Sequence, residues 1–167
     1  MKTEDLAPVL GSFFHGLINI PFSARFRVEG DSMLPFLRHK ESVLVVRTRF
    51  SWNKLRRGDV AVFERPTAAG GTSIKRVIGL PGEDIKIAGG RVYVDGQLLA
   101  EDYVGGVTDE EEKEWFNGPD EYFLLGDNRA KSTDSRNHGP VAGEKVKGRA
   151  WVCCWPPARW RPLGRDK

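Results

Sequence analysis

The segment around Ser32 could carry a nucleophile. Gly30 lets another backbone approach this segment closely, and Pro35 stiffens the turn that follows Ser32. A serine hydroxyl attacks a carbonyl carbon when a nearby base accepts its proton. Because Gly-Asp-Ser is also common in ordinary turns, the segment predicts a catalytic serine only if the chain supplies that base.

A lysine fits the role of this base better than a histidine. His39 falls in a charged turn and His138 in a turn with Gly and Asn, so both are expected to be exposed or hydrogen-bonded loop residues. A lysine becomes a base near pH 7 when burial lowers its pKa. Lys75 stands in the apolar run 74–80, whose strand alternation places Lys75 and Arg76 on opposite faces. The pattern fits either a buried catalytic amine or a lysine on an edge strand.

Short strands must position these side chains. After residue 24 the chain consists of β-type runs separated by Gly and Pro, which predicts a mainly β fold. Asp95-Gly96 predicts a hairpin turn. An acidic stretch over 101–120 predicts a solvated, mobile part of an insertion on the core. The clearest β-type runs are 42–47, 59–63, 74–78 and 91–94.

An uncharged apolar segment precedes the β region. Residues 6–24 contain no charged side chain and are nearly as long as the roughly 20 residues that span a bilayer. The larger apolar residues recur at helical spacing, Ser12, His15 and Asn19 share the opposite face, and Pro21 ends the pattern. This favours a helix lying in the membrane interface over a spanning helix, with a helix packed on the protein's own core as the third interpretation.

The composition excludes several classes of protein. The chain has 167 residues and a net charge of +3, from 26 basic and 23 acidic residues. It lacks the excess of positive charge of a typical nucleic-acid binder, so no nucleic-acid partner is expected. The histidines stand far apart and the two cysteines, Cys153 and Cys154, are adjacent, so no metal or other cofactor is predicted.

Three blocks of sequence are similar to the motifs of one enzyme family. They are Ser-Met-Leu-Pro at 32–35, Ile-Lys-Arg-Val-Ile-Gly-Leu-Pro-Gly-Glu at 74–83, and Gly-Asp-Asn-Arg-Ala-Lys-Ser-Thr-Asp-Ser-Arg at 126–136. A shorter block at 57–63 and the order of the blocks agree as well. In these features the chain resembles the type I signal peptidases, serine proteases with a Ser-Lys dyad that remove signal peptides from exported proteins. The resemblance covers about residues 28–155 apart from the acidic stretch.

The resemblance implies a role for each main residue of the blocks. Ser32 is expected to be the nucleophile and Lys75 the general base. Ser132 is expected to hydrogen-bond the lysine and orient it. Asp134 and Arg136 are expected to support the loop that carries Ser132 without taking part in the chemistry.

Two further positions are expected to lie in the substrate groove and the oxyanion region. Met33, next to the nucleophile, is expected to line the groove, with a core methionine as the alternative. Gly30 stands where many family members have a serine whose hydroxyl is the second donor to the oxyanion, so a backbone N–H or a water must replace it. Phe36 stands where a threonine is usual, which alters the expected shape of the groove.

The resemblance also implies an architecture and a location. It implies a signal-peptidase-type coiled β-sheet catalytic core over 25–167, with a small β-rich insertion at about 84–120. The segment 1–24 is expected to be an interfacial or membrane-anchoring helix. The expected partners are preprotein signal peptides and a lipid membrane, with the catalytic domain on the extracytoplasmic face of a bacterial cell membrane. Trp-Pro-Pro at 155–157 resembles the ending of the family's closing strand, and its tryptophan is expected either in the lipid interface or in the core.

Three other functions stay open from the sequence. A specialised maturation protease of the same family would trim one partner protein. A self-cleaving repressor shares the Ser-Lys fold, but the segment before Ser32 is too short for its DNA-binding domain. A non-catalytic β-rich binding module would not need Ser32, Lys75 and Ser132 together. The sequence therefore favours a serine endopeptidase that cleaves signal peptides after small residues, at an Ala-x-Ala-like site.

Overall fold

The computed structural model describes residues 23–47, 54–66, 70–104, 106, 108 and 111–163. The predicted N-terminal helix lies outside these ranges, because only the last two residues of the apolar segment are described. Those residues, Ser23 and Ala24, already belong to a strand, so the β region begins slightly earlier than the sequence predicted. Within the described ranges, no helix has the length and apolar character needed to cross a membrane.

The described part of the chain is mainly β, as the sequence predicts. Its strands are β1 (Ser23–Arg27), β2 (Ser42–Val46), β3 (Val60–Glu64), β4 (Thr72–Gly79), β5 (Asp84–Ala88), β6 (Arg91–Val94), β7 (Gln97–Leu98), β8 (Lys113–Phe116), β9 (Glu121–Leu125), β10 (Val141–Ala142), β11 (Val146–Trp155) and β12 (Arg161–Pro162). The described helical elements are a short helix, α1 (Ser135–His138), and the 3-10 turns Arg129–Lys131, Gly143–Lys145 and Pro157–Arg159.

These strands form two antiparallel sheets. The larger sheet has the order β1-β2-β11-β3-β4-β9-β10, with β12 paired to β11. Its longest strand, β11, pairs with both β2 and β3, and register shifts along these pairings bend and twist the sheet. The smaller sheet has the order β7-β6-β5-β8 and is built from the chain between β4 and β9. This smaller sheet corresponds to the predicted β-rich insertion.

The local sequence signals explain the strands that were predicted. The runs at 42–47, 59–63 and 74–78 become β2, β3 and β4 with small changes in their bounds, and 91–94 is β6. The turn after β6 has φ angles of 48° at Asp95 and 74° at Gly96. Positive φ at both central residues is the geometry of a type I′ turn, which Asp-Gly favours.

A buried apolar layer joins the insertion to the main sheet. Ile85 and Ile87 of β5 pack with Ile78 of β4 and Phe123 of β9, and all four side chains are buried. Trp115 of β8 covers this cluster, with its ring centroid 4.9 Å from that of Phe123. Burial of each aliphatic or aromatic side chain contributes roughly 1.5–3 kcal/mol. The insertion is therefore packed against β4, which contains Lys75, and against β9, which directly precedes the sequence block at 126–136.

The acidic stretch is only partly solvated. Glu111, Glu112 and Glu114 are exposed and pair with the half-buried lysines Lys86 and Lys113. Thr108 and Asn117 are instead buried, and the Asn117 side chain donates to a backbone carbonyl at 2.8 Å. The prediction of a solvated, mobile stretch is therefore wrong at these two positions, because hydrogen bonds to the folded core replace solvent there.

Candidate active site

Ser32 lies in a turn that follows β1. Val28 N–H donates to Glu41 O at 2.8 Å, which extends the β1–β2 pairing up to the turn. At the other end Leu37 N–H donates to Met33 O at 2.8 Å, and the side chains of Met33 and Leu37 are buried in the core. Because both ends are anchored by backbone hydrogen bonds and buried side chains, the turn presents Ser32 half-buried at the surface.

Lys75 reaches Ser32 from β4 of the main sheet. In the strand order β4 lies between β3 and β9, but β9 pairs with β4 only from Arg76 onward, so Lys75 lies beside a strand edge without a partner among the described residues. The edge interpretation therefore fits the backbone at Lys75 but not its side chain. Lys75 is only 3% exposed, and its Nζ lies 2.6 Å from Ser32 Oγ. Two groups that are 43 residues apart in the sequence are thus in hydrogen-bond contact.

Burial lowers the pKa of Lys75 from its usual 10.5 to about 8. Asp134 and Asp127 act in the opposite direction, because nearby negative charges favour the ammonium form. The Arg65 and Arg136 guanidiniums favour the neutral amine, but desolvation is the largest cause. At pH 7 roughly one lysine in ten then carries the free lone pair that a base needs.

A loop after β9, residues 126–134, lies against the turn that carries Ser32. The loop is called the Ser132 loop below, and the turn, which carries the predicted nucleophile, is called the nucleophile turn. Asp134 anchors its end, because Oδ2 accepts the Gly126 N–H at 3.0 Å and Oδ1 accepts from Arg136 Nε at 2.9 Å. Burial alone would raise the pKa of Asp134, but the Arg136 guanidinium and the Gly126 N–H hold that pKa below its usual value. Asp134 and Arg136 therefore lie where they can support the loop.

Ser132 is half-buried close to Ser32, and its Oγ is buried. This Oγ makes no hydrogen bond of normal geometry among the described residues, but it lies near enough to Asp134 to help lower the pKa of that carboxyl. A Cβ at Gly126 would lie 2.2 Å from Ser132 Oγ and 2.6 Å from Ser32 O, so both serines pack directly against this glycine. Asn128 N–H donates to Ser32 O at 3.0 Å and ties the loop to the nucleophile turn. Orientation of the lysine by Ser132 stays a prediction.

Directly after the lysine, Arg76 points to the opposite face of β4 and forms a buried ion pair with Asp127. Its Nε lies 2.8 Å from Asp127 Oδ1 and its NH2 lies 2.7 Å from Oδ2, and both side chains are fully buried. Arg76 also donates to Gly58 O at 3.0 Å, and its guanidinium lies 4.6 Å from the Phe36 ring centroid and 4.1 Å from that of Tyr103. The sequence placed Arg76 on this face but could not identify its partner, which is 51 residues away.

A cleft of about 500 Å³ opens beside Ser32 and Lys75. One wall is the end of β1 and the residues after it, and the other is the first half of β4. Each wall includes a free strand edge, because β1 is the terminal strand of its sheet and β9 pairs with β4 only from Arg76 onward, within the described residues. The lining residues beside the dyad are Phe26, Arg27 and Glu29 on one wall and Thr72, Ser73 and Ile74 on the other.

The remaining predicted positions differ in their surroundings. Gly30 has a φ of 77°, in the region that favours glycine, and its N–H donates to His39 Nδ1 at 3.0 Å. His39 is exposed as predicted, but the sequence analysis missed this contact. Met33 is 1% exposed within the core cluster, which is the alternative that the sequence left open. Contact between Met33 and a substrate stays a prediction.

His138 lies at the end of α1 and lines the cleft. Its Nδ1 is 2.9 Å from Gly139 O, so the predicted hydrogen bond is present, but the prediction of a loop residue is wrong because His138 is the last residue of the helix. No group of three or more His, Cys, Asp and Glu side chains that could hold a metal ion occurs among the residues described.

Known proteins share this sequence and this fold. The model of the family described as "Signal peptidase, peptidase S26" matches residues 6–155. The chain is 38% identical to the signal peptidase I of Leptolyngbya laminosa, over 98% of this chain and 82% of that protein. It is 33% identical to signal peptidase I T of Bacillus subtilis, over 78% of this chain and 73% of that protein. The crystal structure of a signal peptidase I from Enterococcus faecalis is similar with a TM-score of 0.50 and 32% identity, covering 57% of this chain and 96% of the other.

The mainly β core, its sheet topology and the family match define the class of the protein as a serine peptidase. The chain belongs to the signal peptidase family, peptidase S26. The resemblance seen in the sequence blocks, and the fold that it implied, are thus confirmed.

The buried ion pair predicts a large effect on stability. Arg76→Met would leave Asp127 as a buried charge without its counter-ion, which costs about 3–5 kcal/mol. Urea unfolding followed by circular dichroism measures this loss. The double variant Arg76→Met/Asp127→Leu removes both charges, so it should regain a large part of the loss. An equal loss in the single and double variants would contradict the assignment of the effect to an uncompensated charge.

Proposed function

We propose that this protein is a serine endopeptidase that removes signal peptides from preproteins, with Ser32 as nucleophile and Lys75 as general base. The observation that carries this proposal is the 2.6 Å contact between the Ser32 hydroxyl and a buried amine whose pKa lies near 8. The family match supports the same activity. The two residues are called the dyad below.

In the proposed reaction a single proton passes through the lysine. The neutral Lys75 Nζ accepts the hydroxyl proton while Ser32 Oγ bonds to the scissile carbonyl carbon, whose oxygen takes the negative charge. The ammonium then gives the proton to the leaving nitrogen as the C–N bond breaks, which leaves an acyl-serine and a neutral lysine. Water attacks the ester in the same way, losing a proton to Lys75, and the ammonium then returns a proton to Ser32 Oγ.

Stabilisation of the oxyanion requires hydrogen-bond donors near Ser32. One such donor is worth about 3 kcal/mol in related acyl-transfer sites. We assign the Ser32 backbone N–H as the first donor. The Gly30 N–H already donates to His39 Nδ1, so it is not a second donor in this arrangement.

The cleft supports an extended substrate. The edges of β1 and of the first half of β4, which have no strand partner among the described residues, can pair with a peptide through backbone hydrogen bonds, which tolerate varied side chains. We propose that the residues before the scissile bond lie between these edges, and that small residues are preferred where the peptide passes close to the dyad. The Ala-x-Ala-like specificity is part of this proposal.

The membrane location is a second part of the proposal. Trp160 is 70% exposed and Trp155 is 51% exposed, which is unusual for large aromatic side chains and typical of the lipid interface. Trp155 of β11 is the strand partner of Ser42 in β2, and Ser42 is in turn the partner of Arg27, which lines the cleft. Trp155 therefore lies in register with the end of the β1 wall of the cleft, and Trp160 lies beside it, because Trp160 Nε1 donates to Cys154 O. We propose that they contact the membrane on its extracytoplasmic face.

The dyad predicts which variants lose activity. Cleavage of a peptide with an Ala-x-Ala site should fall by about 10²–10⁴-fold in Lys75→Arg, because a guanidinium keeps the charge but does not act as a base. Ser32→Ala should be inactive, and mass spectrometry locates the cleaved bond. Lys113→Arg, at a half-buried lysine outside the cleft, is the matched control. Substantial activity in Lys75→Arg would overturn the dyad, whereas no cleavage by the unmodified protein would favour the maturation protease.

The pKa of Lys75 predicts the pH dependence. Because the neutral amine is the active form, kcat/KM should rise tenfold per pH unit below about 8 and level off above it. Arg65→Ala removes a positive charge that lowers this pKa, so the midpoint should move to higher pH. Arg65→Lys keeps the charge and serves as the control. Identical midpoints in all three proteins would contradict the electrostatic role of Arg65.

The membrane proposal predicts a selective loss of vesicle binding. Trp155→Ser/Trp160→Ser should reduce sedimentation of the full chain with anionic phospholipid vesicles several-fold, because it removes the exposed aromatic surface beside the cleft. Leu98→Ser/Phe116→Ser is the matched control, since these residues are exposed to a similar degree on the smaller sheet. Equal effects of the two double variants would exclude the tryptophans as the specific contact.

A further inference from the structure

A buried arginine connects the insertion to the Ser132 loop. Arg129, in the 3-10 turn of that loop, has a side chain that is only 1% exposed. Its guanidinium extends away from the loop toward the segment between β7 and β8. It therefore has one set of contacts in the loop and another in the insertion.

On the insertion side, the guanidinium is bound by a carboxylate and a hydroxyl. Glu101 accepts from Arg129 through both carboxylate oxygens, with NH1 3.2 Å from Oε2 and NH2 in contact with Oε1. Thr108 Oγ1 lies 2.6 Å from Arg129 NH1 and is buried. Tyr103 Oη donates to Glu101 Oε1 at 3.1 Å and so holds the carboxylate in place.

On the loop side, Arg129 organises the backbone near the dyad. Its Nε donates to Gly126 O at 3.0 Å, and its own carbonyl accepts from Arg136 NH2 at 2.7 Å. Gly126 is the residue against which Ser32 O and Ser132 Oγ pack. A shift of Arg129 would therefore move the backbone that sets the distance between the loop and the nucleophile turn.

Charge makes the two sets of contacts interdependent. A buried guanidinium without a counter-charge is strongly unfavourable, and Arg129 is neutralised by Glu101 from the insertion. The Tyr103 ring, from the same segment, also lies 4.1 Å from the guanidinium carbon of Arg76, which pairs with Asp127 of the Ser132 loop. The insertion thus contacts this loop through two buried arginines.

We infer that Glu101 is a positioning residue for the proposed peptidase reaction: through Arg129 it fixes the Ser132 loop against Ser32 and Lys75. This assigns a function to the insertion, in which Glu101 and Thr108 act as a brace for the loop. Glu101 does not touch the reacting atoms, so it is not a catalytic residue. The expected effect of Glu101 on kcat rests on the proposed function, whereas its effect on the position of the Ser132 loop does not.

The insertion keeps its attachment to the main sheet when this brace is weakened. The apolar cluster that includes Ile85, Ile87 and Phe123 joins the two sheets independently of Glu101. Glu101→Gln keeps the size of the side chain and one acceptor oxygen while it removes the charge. We therefore expect this variant to fold.

The test compares Glu101→Gln with Glu114→Gln in the full-length protein. Glu114 is in the same insertion, but its carboxylate is 67% exposed and pairs with a half-buried lysine, so it is the matched control. Hydrogen exchange of the amides of Gly126 and Asn128, which bond to Asp134 and Ser32, should be about tenfold faster or more in Glu101→Gln alone. For peptide cleavage, kcat should fall by about 10- to 100-fold with KM nearly unchanged, because the loop is misplaced while the cleft is intact.

The exchange measurement uses no substrate, so it tests the effect of Glu101 on the Ser132 loop separately from the proposed peptidase activity. Faster exchange without any peptidase activity in the parent protein would support the brace and reject the proposed function. Unchanged exchange and unchanged kcat, with only a lower melting temperature, would show that Glu101 is merely structural and overturn the inference.

If Glu101→Gln does not fold, Tyr103→Phe is the second variant: it removes only the hydroxyl that holds Glu101, and it should show smaller changes in the same direction. Wild-type exchange and kcat in Tyr103→Phe would then count against the brace.

Discussion

The structure depends on the burial of one amine beside a hydroxyl. An ammonium group is strongly hydrated, so placing Lys75 in the interior shifts its equilibrium toward the neutral form and lowers its pKa to about 8. That position is available because Lys75 pairs with Ala61 of β3 and Ser32 lies against its amine, which leaves the lysine only 3% exposed. In the proposed reaction, the same burial that opposes the charged form lets the side chain act as a base near neutral pH.

The remaining buried charges are arranged so that they do not undo this effect. Arg76 and Asp127 neutralise each other on the opposite face of β4, and Arg136 neutralises Asp134 at the end of the Ser132 loop. Unpaired, either carboxylate would draw Lys75 further toward the ammonium form. Paired charges with fixed hydrogen bonds also hold the loop in one position, which a site of this geometry requires.

The insertion takes part in this arrangement rather than standing apart from it. Its apolar face completes a core with β4 and β9, while Glu101 and Tyr103 reach the arginines of the site. On this view the acidic stretch has two parts with different roles. The exposed glutamates face solvent and pair with lysines, whereas Glu101 and Thr108 connect the insertion to the Ser132 loop through Arg129.

The sequence by itself determined the mainly β class, several strands, the Asp95-Gly96 hairpin turn and the family, because these follow from local alternation, turn chemistry and contiguous blocks. It also placed Lys75 and Arg76 on opposite faces of one strand. Only the tertiary structure decided that Arg76 meets Asp127 and that Arg129 meets Glu101. Those partners are distant in sequence, and sheet register and the packing of the insertion, rather than any local pattern, bring their charges together in the interior.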